Sequence, residues 1–208
     1  MDFMPPSALL RISILSIYLL LPQANAWSQT VADIRPMLKG LRDDQQQQLI
    51  RYLRHINAPL DEGVQNAYRQ LPERRKKQVV DLLEYYRTPN RENLLTTVSW
   101  LPDTLHLGDM ADRIVHVDSF RVTNTGQYPY LIERARATCD CVIYQTPDYP
   151  IMPGESATLR VEFNSREKIG HSRPVVVVYD NSFPNRRQIL HIKAHILPRK
   201  TARMPWDN

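Results

Sequence analysis

The first half of the chain, residues 30–97, carries apolar residues at the spacing of an α-helix. This spacing places apolar side chains on one helix face. It predicts helices over residues 43–57, 64–71 and 72–87, and a fourth helix through residues 94–98. We therefore expect a small antiparallel helical bundle, whose core is too small to be stable without a neighbouring element.

Beyond Trp100 the period changes to two. Apolar residues alternate with polar ones over residues 157–163 and 190–196, as expected for strands with one buried face. The continuous run Val175–Val178 predicts a strand at the centre of a sheet. Met152-Pro153-Gly154-Glu155 has the residues of a type II turn.

One strand breaks this alternation. Val115 and Val117 have odd numbers, whereas Phe120 and Val122 have even numbers. This change of parity predicts a β-bulge near Asp118-Ser119. The whole region predicts six or seven antiparallel strands in about 95 residues, which is typical of an immunoglobulin-like sandwich.

The amino terminus predicts export. Arg11 precedes the apolar run Ile12–Leu21, Pro22 ends it, and Ala24-Asn25-Ala26 matches a signal-peptidase site. A helix of ten residues spans about 15 Å, half of a hydrocarbon core of about 30 Å. We expect residues 1–26 to be a cleaved signal peptide, with an uncleaved anchor as the alternative. The mature protein would then have no stable membrane span and would lie in the periplasm or at the cell surface of a Gram-negative bacterium.

The charge pattern does not favour nucleic-acid binding. The chain of 208 residues has a formal net charge of +5, from 27 Lys and Arg against 22 Asp and Glu. Nucleic-acid binders concentrate positive charge on one element. The basic residues form a single run, Arg74-Arg75-Lys76-Lys77, at the start of a predicted helix. We interpret this run as solvated helix surface; a contact with anionic lipid or an acidic partner is the alternative.

Five motifs in the second half carry a family resemblance; they are Leu105-His106-Leu107-Gly108, Phe120-x-Val122-x-Asn124-Thr125-Gly126, Cys139-Asp140-Cys141, Ile151-Met152-Pro153-Gly154-Glu155 and Lys168-Ile169-Gly170. In this order they resemble the domain of unknown function 1573. The resemblance covers about residues 103–197 and implies an exported bacterial immunoglobulin-like domain of a type frequent in the Bacteroidetes. The family usually has Cys-Gly-Cys, and Asp140 departs from that pattern. The resemblance implies a fold and no activity.

Cys139 and Cys141 are the only cysteines in the sequence. In a regular strand their Cα atoms would lie about 6.5 Å apart, so that a disulfide would need a local kink. Three interpretations remain open: a structural pair, either as packed thiols or as a loop-fixing disulfide; a Cu(I) site; and a thiol–disulfide exchange site. Histidines such as His191 and His195, about 13 Å apart on one strand face, are too distant to share an ion.

The sequence contains no phosphate loop, paired-histidine helix or nucleophile elbow, so we expect a protein that is not an enzyme and needs no cofactor. The predicted organisation is a signal peptide (1–26), a helical region (27–100), an immunoglobulin-like β-sandwich (101–197) and a basic tail (198–208). The predicted function is contact with an unidentified envelope protein through the loop 139–150.

Within that loop, the candidate binding residues are Cys139, Cys141, Tyr144 and Tyr149. The alternative function is a Cu(I) or thiol-redox module, with Cys139 and Cys141 as metal ligands. A third possibility is docking of the helical region through Arg74–Lys77.

Overall fold

The structure is a computed structural model and describes residues 32–198. The predicted signal peptide and residues 199–208 of the predicted basic tail lie outside the described residues. The described residues contain four α-helices, α1 to α4, which are Arg35–Leu38, Asp43–His55, Val64–Gln70 and Glu73–Arg87. No helix among them is long and apolar enough to cross a membrane.

Helices α2, α3 and α4 confirm the three helices that the apolar spacing predicts. The predicted fourth helix is wrong. A single 3-10 turn, Arg91–Asn93, stands in its place, after Asn90 in a left-handed conformation (φ 53°). Further along, Thr96, Thr97 and Val98 all have β-branched side chains, which favour extended backbone. Thr96 pairs with Ser182, and Val98 begins a strand.

The same residues contain nine strands, β1 to β9, which are Val98–Leu101, Thr104–Ala111, Val115–Asn124, Ile132–Ala137, Val142–Gln145, Ser156–Asn164, Gly170–Ser172, Val175–Asp180 and Arg187–Leu197. One sheet has the order β1-β3-β6-β5, and the other has the order β2-β9-β8-β4, with β7 paired to β9. All neighbours are antiparallel except β2 and β9, which are parallel. The fold is therefore a helical region followed by an immunoglobulin-like sandwich, as predicted, but the described residues form nine strands instead of the expected six or seven, and one pair is parallel.

The predicted β-bulge near Asp118-Ser119 is wrong. Strand β3 pairs with β6 in unbroken register from Val115 to Thr123. The even-numbered Phe120 and Val122 are buried between the sheets, whereas Val115 and Val117 lie on the opposite face and are exposed. The parity changes because these two valines project away from the core, and no extra residue is inserted.

The turn at residues 152–155 joins the two halves of the protein. Gly154 has a φ of +77° and Glu155 N–H donates to the carbonyl of Met152 at 2.9 Å, as expected for a type II turn. Met152 is fully buried among the helices, although it belongs to the sandwich. The sandwich otherwise has a hydrophobic core of its own, so Met152 is the buried residue through which the two halves share a core.

A polar network surrounds this turn. Glu155 forms an ion pair with Arg75 and accepts a hydrogen bond from Gln78 Nε2 at 3.1 Å. The hydroxyl of Tyr52 donates to Gln78 Oε1 at 3.1 Å. Burial, together with the negative charge of Glu155, raises the pKa of Tyr52 well above its ordinary value. The network fixes α2 and α4 on the turn.

We expect Met152→Ala to lower the free energy of unfolding by about 2–5 kcal/mol, because it leaves a cavity where the two halves meet. Urea denaturation followed by circular dichroism measures this change. The exposed Ile143→Ala is the matched control and should change stability by less than about 0.5 kcal/mol. Equal stabilities of the Met152→Ala and wild-type proteins would contradict a shared core.

Candidate binding surfaces

The cysteine pair lies in a turn between β4 and β5. Cys139 and Cys141 are joined by a disulfide, and their Cα atoms are 5.1 Å apart. This separation is shorter than the strand value of about 6.5 Å, because the chain turns at Asp140. Val142 N–H closes the turn on the carbonyl of Cys139 at 3.1 Å. The pair has the geometry of a loop-fixing disulfide.

The geometry does not favour the Cu(I) alternative. Each sulfur is bonded to the other, so that a reduction would have to precede metal binding. Within residues 32–198, no group of three His, Cys, Asp or Glu side chains is placed to hold a metal ion. His195 instead stacks on His171 with ring centroids 4.6 Å apart, and its Nδ1 lies 2.9 Å from Asp109 Oδ1.

The two predicted tyrosines make internal contacts. Tyr144, on β5, donates its hydroxyl to the carbonyl of Ala135 on β4 at 2.6 Å and thereby links the edges of the two sheets. Tyr149 stacks on His55 of α2, with centroids 3.7 Å apart and an interplanar angle of 12°. The structure therefore separates these tyrosines, and the prediction that they bind a partner stays a prediction.

The outer face of the first sheet carries exposed apolar side chains that were not predicted as site residues: Leu101 on β1 and a group of three on β3 and β5. Val115, Val117 and Ile143 are 56%, 48% and 67% exposed. Glu162 pairs with Val117 on one side and with Ile143 on the other, so that these three residues form one row across β3, β6 and β5. We call Val115, Val117 and Ile143 the apolar strip. The odd parity of the two valines is the signal that reveals it in the sequence.

The basic run of α4 is divided among several partners. Arg75 pairs with Glu155 in the sandwich, Lys76 with Glu73 at 2.9 Å, and Lys77 with Asp81 at 2.8 Å. Arg74 is exposed. The interpretation of this run as solvated helix surface holds for part of it, whereas Arg75 joins the two halves of the protein.

A cleft of about 610 Å³ lies between the helices and the second sheet. Its tyrosine hydroxyls make internal hydrogen bonds: Tyr85 accepts from Asn181 Nδ2 at 3.2 Å, and Tyr86 donates to Gln48 at 2.7 Å. Burial raises the pKa of Tyr86 above its ordinary value. These hydroxyls hold the cleft together and are not arranged as an acid and base.

Asn124 explains part of the motif Asn124-Thr125-Gly126. It is fully buried, and its amide nitrogen donates to the carbonyls of Tyr128 and Ile151, at 2.8 Å each. Its Oδ1 accepts from the hydroxyl of Thr96 at 2.8 Å and from Gly126 N–H at 3.1 Å. One side chain therefore satisfies four polar groups at the end of the sandwich.

Gly126 is required by a close approach. A Cβ atom at this position would overlap the backbone nitrogen of Thr97. The neighbouring Thr125 N–H donates to the carbonyl of Thr97 at 3.0 Å and holds the two segments together. The motif thus holds the residues just before β1 against the end of β3.

The fold and these motifs define an immunoglobulin-like sandwich domain with an attached helical region. Residues 98–196 match the model of the family described as "Protein of unknown function (DUF1573)". The resemblance that the motifs predicted is therefore confirmed for residues 98–196. A comparison with curated proteins finds no match.

Several solved structures are similar to part of this chain at low sequence identity. A protein of unknown function from Porphyromonas gingivalis W83 is 15% identical, with a TM-score of 0.45, over 49% of this chain and 47% of its own length. PapD-like domain 7 of human CEP192 is 11% identical, with a TM-score of 0.39, over 51% and 89%. The E. coli chaperone DraB is 11% identical, with a TM-score of 0.37, over 49% and 56%. The matched region spans about half of the P. gingivalis chain, and these likenesses concern the fold alone.

We expect thiol alkylation of the unfolded, non-reduced protein to add no label, and alkylation after reduction to label both Cys139 and Cys141. Mass spectrometry measures the number of labels. The bridge closes a very short loop, so we expect the double variant Cys139→Ser/Cys141→Ser to lose only about 1–2 kcal/mol of stability. Two reactive thiols in the non-reduced protein would contradict the disulfide.

The contact between His55 and Tyr149 predicts a pH dependence of stability. Burial lowers the pKa of His55, and Arg75 adds to this effect, whereas Glu155 and Asp148 oppose it. The folded state therefore binds a proton less readily than the unfolded state. Stability from this contact is present above the ordinary pKa of histidine, about 6.5, and is lost as the pH falls through the lower pKa of the folded state.

We expect His55→Gln to reduce the loss of stability between about pH 8 and pH 5, as measured by urea denaturation at each pH. His106→Gln, at an exposed position of β2, is the control and should leave the loss unchanged. An identical pH dependence in wild type and His55→Gln would contradict the assignment.

Proposed function

We propose that this protein is exported, is not an enzyme, and acts by binding a second protein through the outer face of the sheet β1-β3-β6-β5. The apolar strip carries this proposal. The predicted signal peptide supports export, and the disulfide agrees with an oxidising compartment such as the periplasm.

The apolar strip differs from scattered surface residues. Val117 and Ile143 lie on either side of Glu162, with Cα atoms about 10 Å apart across two strand spacings. Val115 follows about 7 Å further along β3. Exposed branched apolar side chains that lie on one face contribute favourably to binding when a partner removes them from water.

A polar row borders the strip on one side, and polar borders are common in interfaces between proteins that also exist alone. Strand pairing places Ser119, Arg160 and Gln145 in the next row of the same face. Arg160 pairs with Glu162 at 3.3 Å, so that the charge between the apolar residues is balanced. A partner with an apolar centre and a neutral or polar surround fits this face.

The backbone under Ile143 is held in place on both sides. Its neighbour Val142 is buried in the core, and Tyr144 is bonded to β4. The disulfide at Cys141 fixes the start of the strand. A surface that is already ordered loses less conformational entropy when it binds. The predicted loop 139–150 therefore contributes to the proposed interface through Ile143.

We expect a photo-crosslinking residue at Ile143 or Val117 to yield one shared adduct in the envelope of the native host. The same residue at Thr158, which is exposed on this face beyond Arg160 and away from the strip, is the matched control and should not yield that adduct. Val115→Asp should weaken the adduct at Ile143 at least about tenfold, since a charge opposes burial of the strip.

The mass of the adduct distinguishes the occupants. A heterologous partner common to both positions supports the proposal. An adduct of this chain with itself, matched by a dimer in light scattering, would replace it with self-association. Equal labelling at Ile143 and Thr158 would overturn it.

A further inference from the structure

The outer face of the second sheet carries an unusual set of charges. Strand pairing places Arg134 and Arg187 on either side of Tyr179, and Arg136 in line with Val177 and Ile189 in the next row. Lys193 lies further along β9, between the buried Ile192 and Ala194, so that it also faces outward. We call Arg134, Arg136, Arg187 and Lys193, together with His171, His191 and His195, the basic face.

Among the described residues, none of these four Arg and Lys side chains makes an ion pair, and Arg134 lies over the ring of Tyr179 at 4.1 Å. Strand pairing places one carboxylate on this face, Asp109, which lies at its end beside His195. Glu133, at the irregular start of β4, lines the cleft beside the helices instead.

We propose that the basic face docks on an anionic lipid surface. The Arg and Lys residues extend about 20 Å along β9 and about 10 Å across two strand spacings from β9 to β4, so they do not converge on one small anion. Uncompensated positive charge over such an area attracts a surface that presents many anionic headgroups. The inference is independent of the partner proposed for the opposite sheet.

Apolar groups between the cations fit the same occupant. Ile189 is 43% exposed, and Tyr179 and Val177 are half-buried beside it. An aromatic ring with aliphatic side chains, framed by Arg and Lys, suits the boundary between headgroups and acyl chains. The sequence after β9 continues with Arg199, Lys200 and Arg203.

The proposed lipid surface and the proposed protein partner use different sheets. The apolar strip belongs to β3 and β5 of the first sheet, whereas the basic face belongs to β4, β7 and β9 of the second. Both sheets bury their inner faces against each other in the sandwich core. Docking on lipid would therefore leave the apolar strip accessible.

The test is co-sedimentation of the purified, exported chain with vesicles. One set contains phosphatidylglycerol in phosphatidylcholine, and the other contains phosphatidylcholine alone. We expect binding to the anionic vesicles only, and its loss as the ionic strength rises from about 0.01 M to about 0.15 M, since the Debye length then falls from about 30 Å to about 8 Å.

Two variants with the same change in net charge locate the interaction. Arg136→Gln/Arg187→Gln/Lys193→Gln removes three exposed cations from the basic face. Arg54→Gln/Arg74→Gln/Arg121→Gln removes three exposed cations elsewhere. Each cation near an anionic surface contributes roughly a factor of five to binding, so we expect at least about tenfold weaker binding for the first variant and less than about threefold for the second.

Both variants should unfold at the wild-type temperature, because the substituted side chains are exposed. Equal binding to both kinds of vesicle, or equal losses in the two variants, would overturn the proposal. Inorganic phosphate at matched ionic strength should not displace the protein from the vesicles. Displacement would reveal a discrete phosphate site and would also overturn docking on a lipid surface.

Discussion

The structure depends on the burial of one turn of the sandwich in the core of the helices. Met152 leaves the sandwich and is enclosed by the helical side chains, while Glu155, three residues later, binds Arg75 and Gln78. The helical core is too small to be stable by itself, because a short bundle leaves too much of its apolar surface in water. The sandwich provides the missing apolar contact, and the ion pair sets the orientation of α4 against the turn.

This constraint explains why the sandwich keeps some surfaces free. The helices cover the turn 152–155 and the loop that contains Tyr149, through Met152 and His55. They do not cover the outer faces of the sheets, where the apolar strip and the basic face lie. Alternate residues of a strand point to opposite sides of its sheet. The inner positions of each sheet therefore form the core, whereas the outer positions remain available for binding.

Much of the fold could be predicted from local patterns. The helical spacing predicted α2, α3 and α4, alternation predicted β6 and β9, and the residues at 152–155 predicted the type II turn. The predictions failed where the conformation or the facing of a residue depends on contacts with residues that are distant in the sequence. Thr96 pairs with Ser182, which ended the expected fourth helix, and Val115 and Val117 proved to be outward-facing positions of an unbroken strand.

The sequence by itself determined the two periodicities, the family motifs, and the short spacing of Cys139 and Cys141, because each is a property of neighbouring residues. Only the tertiary structure decided that Arg75 pairs with Glu155, that Tyr149 is stacked on His55, and that Ile143 lies in one row with Val117. These contacts join residues that are far apart along the chain. No local pattern specifies such a contact, since it depends on the strand order and on the packing of the helices against the sandwich.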